Sequence, residues 1–366
     1  MRKGRVLLLG LCSMSALFWG AAASPLACAE TSSDGEWIGP VHAGDPLVWG
    51  RRDGLVFGLP SPGGLRGPRG LIRVGVVSPR TGRPELLNFI AVEPVVAGPG
   101  SRFSRMAFSE LESSQMDAGS TGKRLWVGGE RAPEDNGGSL RVTGSAAHAI
   151  EILTVRIEVE RFQANRAHVY LLASIASDHP NELALAVERY DDSPALDELS
   201  LTATMGNYER LRRLWLKDRI VDSRRLYASY SGDDFAEQGN YPLKDMLRTG
   251  EGDAIVLSTT NETDPSAHSN PRAAEHWQYR LPSITQYWRV PGRSVEPNLR
   301  VRVNGRRVYW ASHDTVPGGI AFENFEVRER FVPGQVFIFG VSEKEPGQFD
   351  PPIAHLPPVK EQRAPE

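Results

Sequence analysis

Apolar and polar residues alternate along most of the chain between Trp49 and Val341. From Leu153 to Glu160, Leu, Val, Ile and Val occupy every second position, with Thr, Arg and Glu between them. This period of two is typical of a strand that buries one face and exposes the other to water. Many such runs, separated by turn signals and with few helical patterns, predict an all-β protein. We expect a large antiparallel β-sandwich with few short helices.

Turn chemistry predicts three hairpins within this pattern. Asn304-Gly305 is the dipeptide that a type I′ turn favours, because both central residues take positive φ, so Leu299–Trp310 is expected to fold back on itself. Longer loops should join the other two strand pairs. These pairs are Leu71–Val77 with Leu86–Val96, and Phe322–Phe331 with Val336–Val341.

Three segments carry less decisive patterns. The apolar spacing from Met205 to Lys217 fits a helix or a strand, and a strand is slightly favoured. Leu243–Leu247 is expected to form a short helical turn. The glycines of Gly63–Gly70 precede a strand rather than a helix, so they indicate a bend where backbone segments approach closely and not a phosphate-binding loop.

The N-terminus has the three parts of a secretory leader. Basic residues at positions 2, 3 and 5 precede an apolar, small-residue stretch, and a small-x-small site ends at Ala29. An uncleaved membrane anchor is disfavoured because the apolar core is short. A lipid anchor on Cys28 is an alternative, although Pro25 stands where a lipobox normally has Leu. We therefore expect a secreted or periplasmic protein.

Three regions follow from these patterns. Residues 1–29 are the predicted signal peptide, and 30–343 are predicted to form one large β-sandwich domain, with two packed sub-sandwiches as the alternative. Residues 344–366 are rich in Pro and charge, so we expect a disordered tail there.

Removal of the leader changes the chemistry that is open to the chain. It takes away both cysteines, so a mature chain has neither disulfides nor thiolate metal sites. It leaves 39 Lys+Arg against 45 Asp+Glu, a mildly acidic balance that argues against nucleic-acid binding. No later apolar run reaches transmembrane length, so no membrane contact is expected after cleavage.

The established catalytic motifs do not occur in the sequence. There is no Walker loop, no His-Glu-x-x-His, no Gly-x-Ser-x-Gly and no EF-hand loop. The eight histidines are scattered, and no two stand at i, i+2 or i, i+4. We accordingly predict no metal site and no cofactor.

Glu93 and His313 are the candidate catalytic residues. Glu93 lies in an otherwise mostly apolar strand, where a buried carboxyl must be paired or have a raised pKa, and either suits a general acid or base. The alternative, weighted equally, is a structural ion pair with Arg69 or Arg73. His313 stands where a strand runs into a loop, a common place for ligand groups, although an ordinary solvated His is the simpler interpretation.

Other carboxylates are less suited to catalysis. Glu110 and Glu112 would lie side by side on one strand face and so are expected to face water. Glu323 and Glu326 should point to opposite faces of a strand and do not form a natural pair.

An aromatic and polar cluster points to a sugar ligand. Aromatic faces bind the C–H surfaces of sugars and planar polar groups bind their hydroxyls, while arginines favour uronates through bidentate pairing. The competing interpretation is that these aromatics fill the core. The candidate substrate-binding residues are Arg69, Trp277, Gln286, Trp288, Arg289 and Trp310.

Several strings resemble a group of secreted bacterial proteins without an established activity. These strings are Gly67–Arg73, Asn88–Pro94, Thr202–Asn207, Thr285–Arg289 and Gly319–Glu326. More loosely, the length and strand density resemble the galactose-mutarotase-like supersandwich, a fold of aldose epimerases, polysaccharide lyases and glycosidases. That resemblance implies a fold and not a reaction, because no catalytic motif of those families can be placed here.

Two functional hypotheses follow. The first is a secreted carbohydrate-directed enzyme, a polysaccharide lyase, glycosidase or epimerase, and it requires Glu93 to lie near the aromatic cluster. The second is a non-catalytic glycan-binding or cell-surface structural protein, which would present an exposed aromatic platform instead of a deep cleft with converging acid and base groups. Whether the chain is an enzyme stays open at this point.

Overall fold

The structure is a computed structural model that describes residues 36–42, 45–60, 68–78, 82–114, 123–127, 138–145, 148–204, 210–260, 285–309, 313–349 and 352–358. Over these ranges the chain forms two antiparallel sheets packed face to face as a sandwich. Helices are short in the described ranges: α1 is Arg102–Arg105 and α2 is Ser223–Leu226. The predicted all-β sandwich with few short helices is confirmed.

The first sheet has nine strands in the described ranges, in the order β1-β2-β3-β4-β5-β11-β19-β18-β14. Their bounds are β1 Trp37–Ile38, β2 Val48–Arg51, β3 Leu55–Gly58, β4 Leu71–Val77, β5 Pro84–Val96, β11 Leu196–Thr204, β14 Gly239–Pro242, β18 Arg300–Arg306 and β19 Ala321–Arg330.

The second sheet has twelve strands over the same part of the chain. Nine follow the path β13-β12-β16-β17-β20-β10-β9-β8-β6, while β7 pairs with β8, and β15 pairs with both β16 and β21. Their bounds are β6 Leu125–Trp126, β7 Gly138–Ser145, β8 His148–Val159, β9 Val169–Ala176, β10 His179–Arg189, β12 Leu211–Trp215, β13 Ile220–Asp222, β15 Leu247–Thr249, β16 Ala254–Thr260, β17 Thr285–Val290, β20 Val336–Ser342 and β21 Ile353–Ala354.

The inward faces of both sheets meet in one apolar core. Along β8 the apolar residues predicted to face inward are buried, whereas Arg156 and Glu158 between them remain partly or fully exposed. Among the described residues, two fully buried hydrogen bonds cross from sheet to sheet within this core. Trp288 Nε1 donates to the carbonyl of Phe325 at 2.8 Å, and Asn88 Nδ2 donates to Gln286 Oε1 at 2.8 Å.

Several local predictions are confirmed. Strands β4 and β5 pair as a hairpin, and the Met205–Lys217 segment contains the strand β12. Residues Leu243–Asp245 form a 3₁₀ turn. Gly70 is a point of close backbone approach, since a Cβ there would lie 1.5 Å from the carbonyl oxygen of Ser109.

The predicted type I′ hairpin at Asn304-Gly305 is wrong. Both residues lie inside β18, which continues beside β19 through a register shift between Val303 and Gly305. Asn304 Oδ1 accepts a hydrogen bond from the backbone of Asn324 at 3.0 Å. A Cβ on Gly305 would lie 2.9 Å from the ring of Tyr227. The glycine therefore permits close packing at a bulge rather than a turn.

The predicted pairing of Phe322–Phe331 with Val336–Val341 is also wrong. The first segment forms β19, which already pairs with β11 on one side and β18 on the other. No edge of β19 is left for a further strand, so the chain crosses at Val332–Gln335 to the second sheet. There β20 pairs with β10 and β17.

Part of the predicted tail is packed against the second sheet. Residues Pro346–Gln348 form a 3₁₀ turn, and β21 pairs with β15. Ile353 is buried, and Phe349 and Leu356 pack around it on a small apolar cluster of that sheet. This packed structure differs from the expected disordered tail, because a few apolar residues among the prolines pack on the apolar cluster of the second sheet.

Candidate functional site

Glu93 faces away from the core of the sandwich. Its neighbour Val92 points inward and belongs to the core, so alternation along β5 turns Glu93 to the outer face of the first sheet. The outward position is nevertheless buried, with about 7% of Glu93 exposed.

The strands β5, β11 and β19 bring four further polar residues next to Glu93. In the antiparallel register Glu93 lies opposite Ser200, and Ser200 lies opposite Arg328. One step further along the sheet, Thr202 lies opposite Glu326. Directly opposed residues share a sheet face, so all five point outward together. We call this group, Glu93, Ser200, Thr202, Glu326 and Arg328, the Glu93–Glu326 site.

An ion pair with a shared hydroxyl forms the centre of the site. Arg328 Nη2 lies 2.6 Å from Glu326 Oε1, and both side chains are at most 4% exposed. Ser200 Oγ donates to the same carboxylate oxygen at 2.7 Å and accepts from Arg328 Nε at 3.2 Å. Arg302 adds a contact of 3.3 Å to Glu326 Oε1. Charges buried in this way require such pairing.

The segment 106–110 contributes to the burial of the site. It runs beside the second half of β5, where β4 has ended, with Ala107 and Ser109 donating backbone hydrogen bonds to Pro94 and Val92. Ser109 Oγ donates to the carbonyl of Gly70 at 2.5 Å, which fixes the segment. Its Met106 sulfur lies 3.3 Å from Arg328 Nη2.

The site holds Glu93 as a neutral acid near pH 7. Burial raises the pKa of Glu93 to about 8, and the negative charge of Glu326 adds to the rise. The charge of Arg328 and the hydroxyl of Thr202 oppose the rise without cancelling it. Burial also raises the pKa of Glu110, and it lowers the pKa of Arg328. One carboxyl is thus suited to donate a proton, while its neighbour Glu326 is bound in an ion pair.

Four further arginines lie around the site. Arg102 and Arg300 both contact Glu198, and Arg105 contacts Asp197. The side chain of Arg102 is 38% exposed and that of Arg302 is 25% exposed, whereas that of Arg328 is 1% exposed. With Glu93 protonated, the five arginines of this face outnumber their three acidic partners. The approach to the site is therefore electropositive.

The sequence-predicted residues fall in several places. Glu93 belongs to the Glu93–Glu326 site, opposite Ser200. Arg69 is half-buried in the turn before β4, and the adjoining Gly70 contacts the covering segment at Ser109. His313 is exposed and has a positive φ of 58°, and its backbone N–H donates to the carbonyl of Tyr309 at 2.8 Å. It follows β18 at the far end from Arg300, which places it roughly 20 Å along the strands from Glu93 at 3.3 Å per residue.

The aromatic and arginine cluster does not converge on Glu93. Trp288 and Gln286 are fully buried and point into the core between the sheets, where each makes the intersheet hydrogen bond described above. Arg289 faces outward from the second sheet and is bound by Glu182 and by Asp253. Glu93 and Arg289 thus lie on opposite faces of the sandwich. Trp277 and Trp310 lie outside the described residues.

Glu110, Glu112 and Glu326 have roles that the pattern did not indicate. Glu110 and Glu112 lie in a turn rather than a strand, and Glu112 accepts hydrogen bonds from the backbone of Gln163 and Ala164. Glu326 is the partner of Arg328. The signal that could have identified it is the one that identified Glu93, namely charges within a strand that also carries large apolar residues.

The fold and the site together define a large two-sheet β-sandwich protein with a buried acidic pair on one outer face. Comparison of the chain with protein-family models, curated proteins and solved structures gave no match. In the described ranges, no helix is long and apolar enough to cross a membrane. Within the same ranges, no three His, Cys, Asp or Glu residues group in a way that could hold a metal ion.

Proposed function

We propose that the chain is an exported, carbohydrate-directed enzyme whose acid–base group is Glu93. The version of this hypothesis that required Glu93 to lie near the aromatic cluster fails, because Trp288 points into the core and Arg289 lies on the opposite face of the sandwich. The proposal rests instead on the polar groups of the first sheet.

The observation that carries this proposal is the division of roles between two buried carboxyls on one sheet face. Glu93 keeps its proton near pH 7, whereas Glu326 is bound to Arg328 and Ser200. Groups with different protonation states at one site are the usual basis of acid–base catalysis.

The reaction class proposed is that of a polysaccharide lyase, a glycosidase or an epimerase. A glycosidase needs a protonated acid and a second carboxylate at a defined separation. Glu93 is the candidate acid, and Glu326 is the candidate second carboxylate. A lyase or epimerase needs a base that removes a proton from the sugar and a cation that stabilises the developing enolate. Glu93 can act as that base only after it has lost its own proton, above about pH 8, and Arg328 is the neighbouring cation. The resemblance of the strand content to the galactose-mutarotase-like supersandwich supports the same group of activities by analogy.

The electropositive rim favours an acidic saccharide as the substrate. Arg102 and Arg302 are the more exposed guanidinium groups beside the site, and planar guanidinium groups bind carboxylates in bidentate fashion. A uronate would reach the acidic pair from this side. The predicted contribution of Trp277 and Trp310 to substrate binding stays a prediction.

The alternative is a non-catalytic glycan-binding or cell-surface structural protein. The low exposure of Glu93 favours it, since a carboxyl with about 7% of its surface exposed has little room for a substrate. On this interpretation the ion pair of Glu326 and Arg328 fixes the register of three strands and has no chemical role.

An array of neutral and uronate polysaccharides tests the two functions. Binding, new reducing ends and unsaturated products are followed with the wild-type chain, with Glu93→Gln and with Glu329→Gln. Glu329 is a matched control, because burial raises its pKa to about 7 but it lies on the inward side of β19 with Gln335. Product formation that is lost in Glu93→Gln and retained in Glu329→Gln supports the enzyme. Binding without product supports the glycan-binding alternative, and no response to any glycan contradicts a carbohydrate-directed function of either kind.

A further inference from the structure

A second aromatic and polar group lies on the outer face of the second sheet, where β8, β9 and β10 pair. Tyr170 projects outward from β9, and Tyr190 directly follows β10. The His168 ring stacks on Tyr190 with the centroids 4.2 Å apart, and the two tyrosine rings are 5.0 Å apart. All three residues are half-buried, so part of each ring is open to solvent.

Charged groups hold these rings in place. Arg156 lies 3.8 Å from the centre of the Tyr170 ring, and its Nη2 donates to the Tyr190 hydroxyl at 2.7 Å. Glu158 binds the same hydroxyl and accepts from Arg156 Nε at 2.7 Å. Rings that are fixed before a ligand arrives lose little side-chain entropy on binding. We call Arg156, Glu158, His168, Tyr170 and Tyr190 the Tyr170–Tyr190 surface.

Mostly small side chains lie beside the rings on the same outer face of the sheet. In the register of β8, β9 and β10, Thr154 lies opposite Ser174, and Ser174 lies opposite Ala184. Leu172 and Ala186 form the next row on the same face. All five are half-buried, so the sheet is open to solvent at this place. The row from Thr154 to Ala184 is about 10 Å wide at strand spacing, enough for an extended chain of sugar rings.

The chemistry of this face suits a neutral polysaccharide. Tyrosine and histidine rings offer apolar faces for the C–H surfaces of sugars, and Arg156, Glu158, Thr154 and Ser174 offer hydrogen bonds for hydroxyls. On this side of the sheet the acidic residues Glu158, Glu188 and Asp192 outnumber the arginines Arg156 and Arg161. The surface therefore does not favour an anionic chain. We propose that the Tyr170–Tyr190 surface binds neutral polysaccharide chains.

This binding surface is separate from the Glu93–Glu326 site. The two lie on opposite outer faces of the sandwich, so a chain bound at one does not reach the other directly. The surface would hold the protein on a polymer while the opposite face remains free. Its ligand class, although not its location, rests on the carbohydrate-directed function proposed above.

Binding of the full chain to insoluble cellulose, xylan, mannan and starch, with pectate as the acidic comparison, tests the proposal. We expect at least one neutral polymer to retain the wild type, and Tyr170→Ala or Tyr190→Ala to weaken that binding roughly tenfold, as for a central aromatic contact. Phe103→Ala is the matched control, because Phe103 is 79% exposed but belongs to α1 on the other face. It should leave binding to the neutral polymer unchanged.

Tyr170→Phe separates binding from folding, because it keeps the ring and should keep most of the binding. Retention that survives Tyr170→Ala and Tyr190→Ala in a folded protein overturns the proposal, as does the absence of binding to every neutral polymer. The two proposals are tested by different readouts, because product formation reports on Glu93 and retention on a neutral polymer reports on the Tyr170–Tyr190 surface. Loss of product in Glu93→Gln with unchanged retention would support both proposals, and retention without any product would leave the binding surface supported alone.

Discussion

Each outer face of the sandwich carries an arginine and a glutamate two residues apart on one strand. On β8 of the second sheet, Arg156 Nε lies 2.7 Å from Glu158 Oε1, and the side chains are 47% and 19% exposed. On β19 of the first sheet, Arg328 Nη2 lies 2.6 Å from Glu326 Oε1, and the side chains are 1% and 4% exposed. The spacing, the residue types and the contact distances are alike, and the environments differ.

The difference arises from what lies over each face. Met106 of the segment 106–110 contacts Arg328 of the pair on β19, which is almost fully buried, whereas the pair on β8 is partly open to water. A covered pair interacts strongly but loses its hydration, and a neighbouring carboxyl such as Glu93 then retains its proton. An open pair is screened and contributes little to stability. Covering thus makes one face suited to proton transfer and leaves the other suited to surface binding.

Removal of the buried arginine should have the largest effect on stability. Arg328→Met leaves the Glu326 carboxylate buried without its main partner, which is expected to lower the free energy of unfolding by about 3–5 kcal/mol. Urea denaturation at pH 7 measures the change. Arg302→Met is the control, because Arg302 is more exposed and should cost about 1 kcal/mol or less. Equal losses in the two variants would contradict the comparison of covered and open charges.

Truncation of Ile353, a buried residue of strand β21, should have the next largest effect on the free energy of unfolding. Ile353→Ala removes apolar contacts with the cluster that contains Trp215, Leu247 and Ile255, at an expected cost of about 2 kcal/mol. Thermal and urea unfolding measure it. Val142→Ala, at a residue that is 60% exposed on β7, should change stability by less than about 0.5 kcal/mol. An unchanged stability in Ile353→Ala would show that this strand does not hold the sheet.

The pH dependence of stability should report on Glu93. Its pKa is raised from 4.5 to about 8 in the folded chain, so the folded state retains a proton that the unfolded chain releases. This contribution is fully present below about pH 4.5 and is lost as the pH rises through 8. Its steepest slope is on the order of 1 kcal/mol per pH unit. Glu93→Gln should therefore flatten the loss of stability between pH 5 and pH 8, as measured by urea titrations.

Glu329 is the control for that experiment, because burial raises its pKa to about 7 and it titrates in the same window. Glu329→Gln should remove a separate part of the slope, mainly below pH 7. A slope in Glu93→Gln equal to that of the wild type would show that Glu93 is ionised in the folded protein.

The sequence predicted the sheets well where a strand has one wet face. The period of two in β8 requires that alternate side chains share a face, and a one-residue slip would expose the whole apolar set. Pairing between distant strands was predicted poorly. The segments that form β19 and β20 are neighbours in sequence. Strand β19 pairs instead with β18 and with β11, and the residues of β11 are more than a hundred positions earlier in the chain.

The candidate site was predicted in part for a related reason. Glu93 was identifiable because a carboxyl in an apolar strand is unusual, whichever face it takes. A prediction that Glu93 lies near Glu326 would require the register of β5, β11 and β19, which are far apart in sequence. Trp288 and Arg289 were grouped because they are adjacent in the chain, but adjacent residues of a strand point to opposite faces. The side chain of Trp288 points into the core, whereas that of Arg289 points to the outer surface of the second sheet.

The smallest effect is expected at the open pair on β8. Arg156→Met keeps an aliphatic contact with the Tyr170 ring but loses the ion pair with Glu158 and the cation over the ring. Because Arg156 is 47% exposed, the free energy of unfolding should fall by about 1 kcal/mol or less, and the loss should shrink further in 1 M NaCl. Urea denaturation at low and high salt measures both quantities. A loss as large as that of Arg328→Met would mean that the two faces do not differ in solvent screening, and the contrast between a proton-transfer face and a binding face would lose its physical basis.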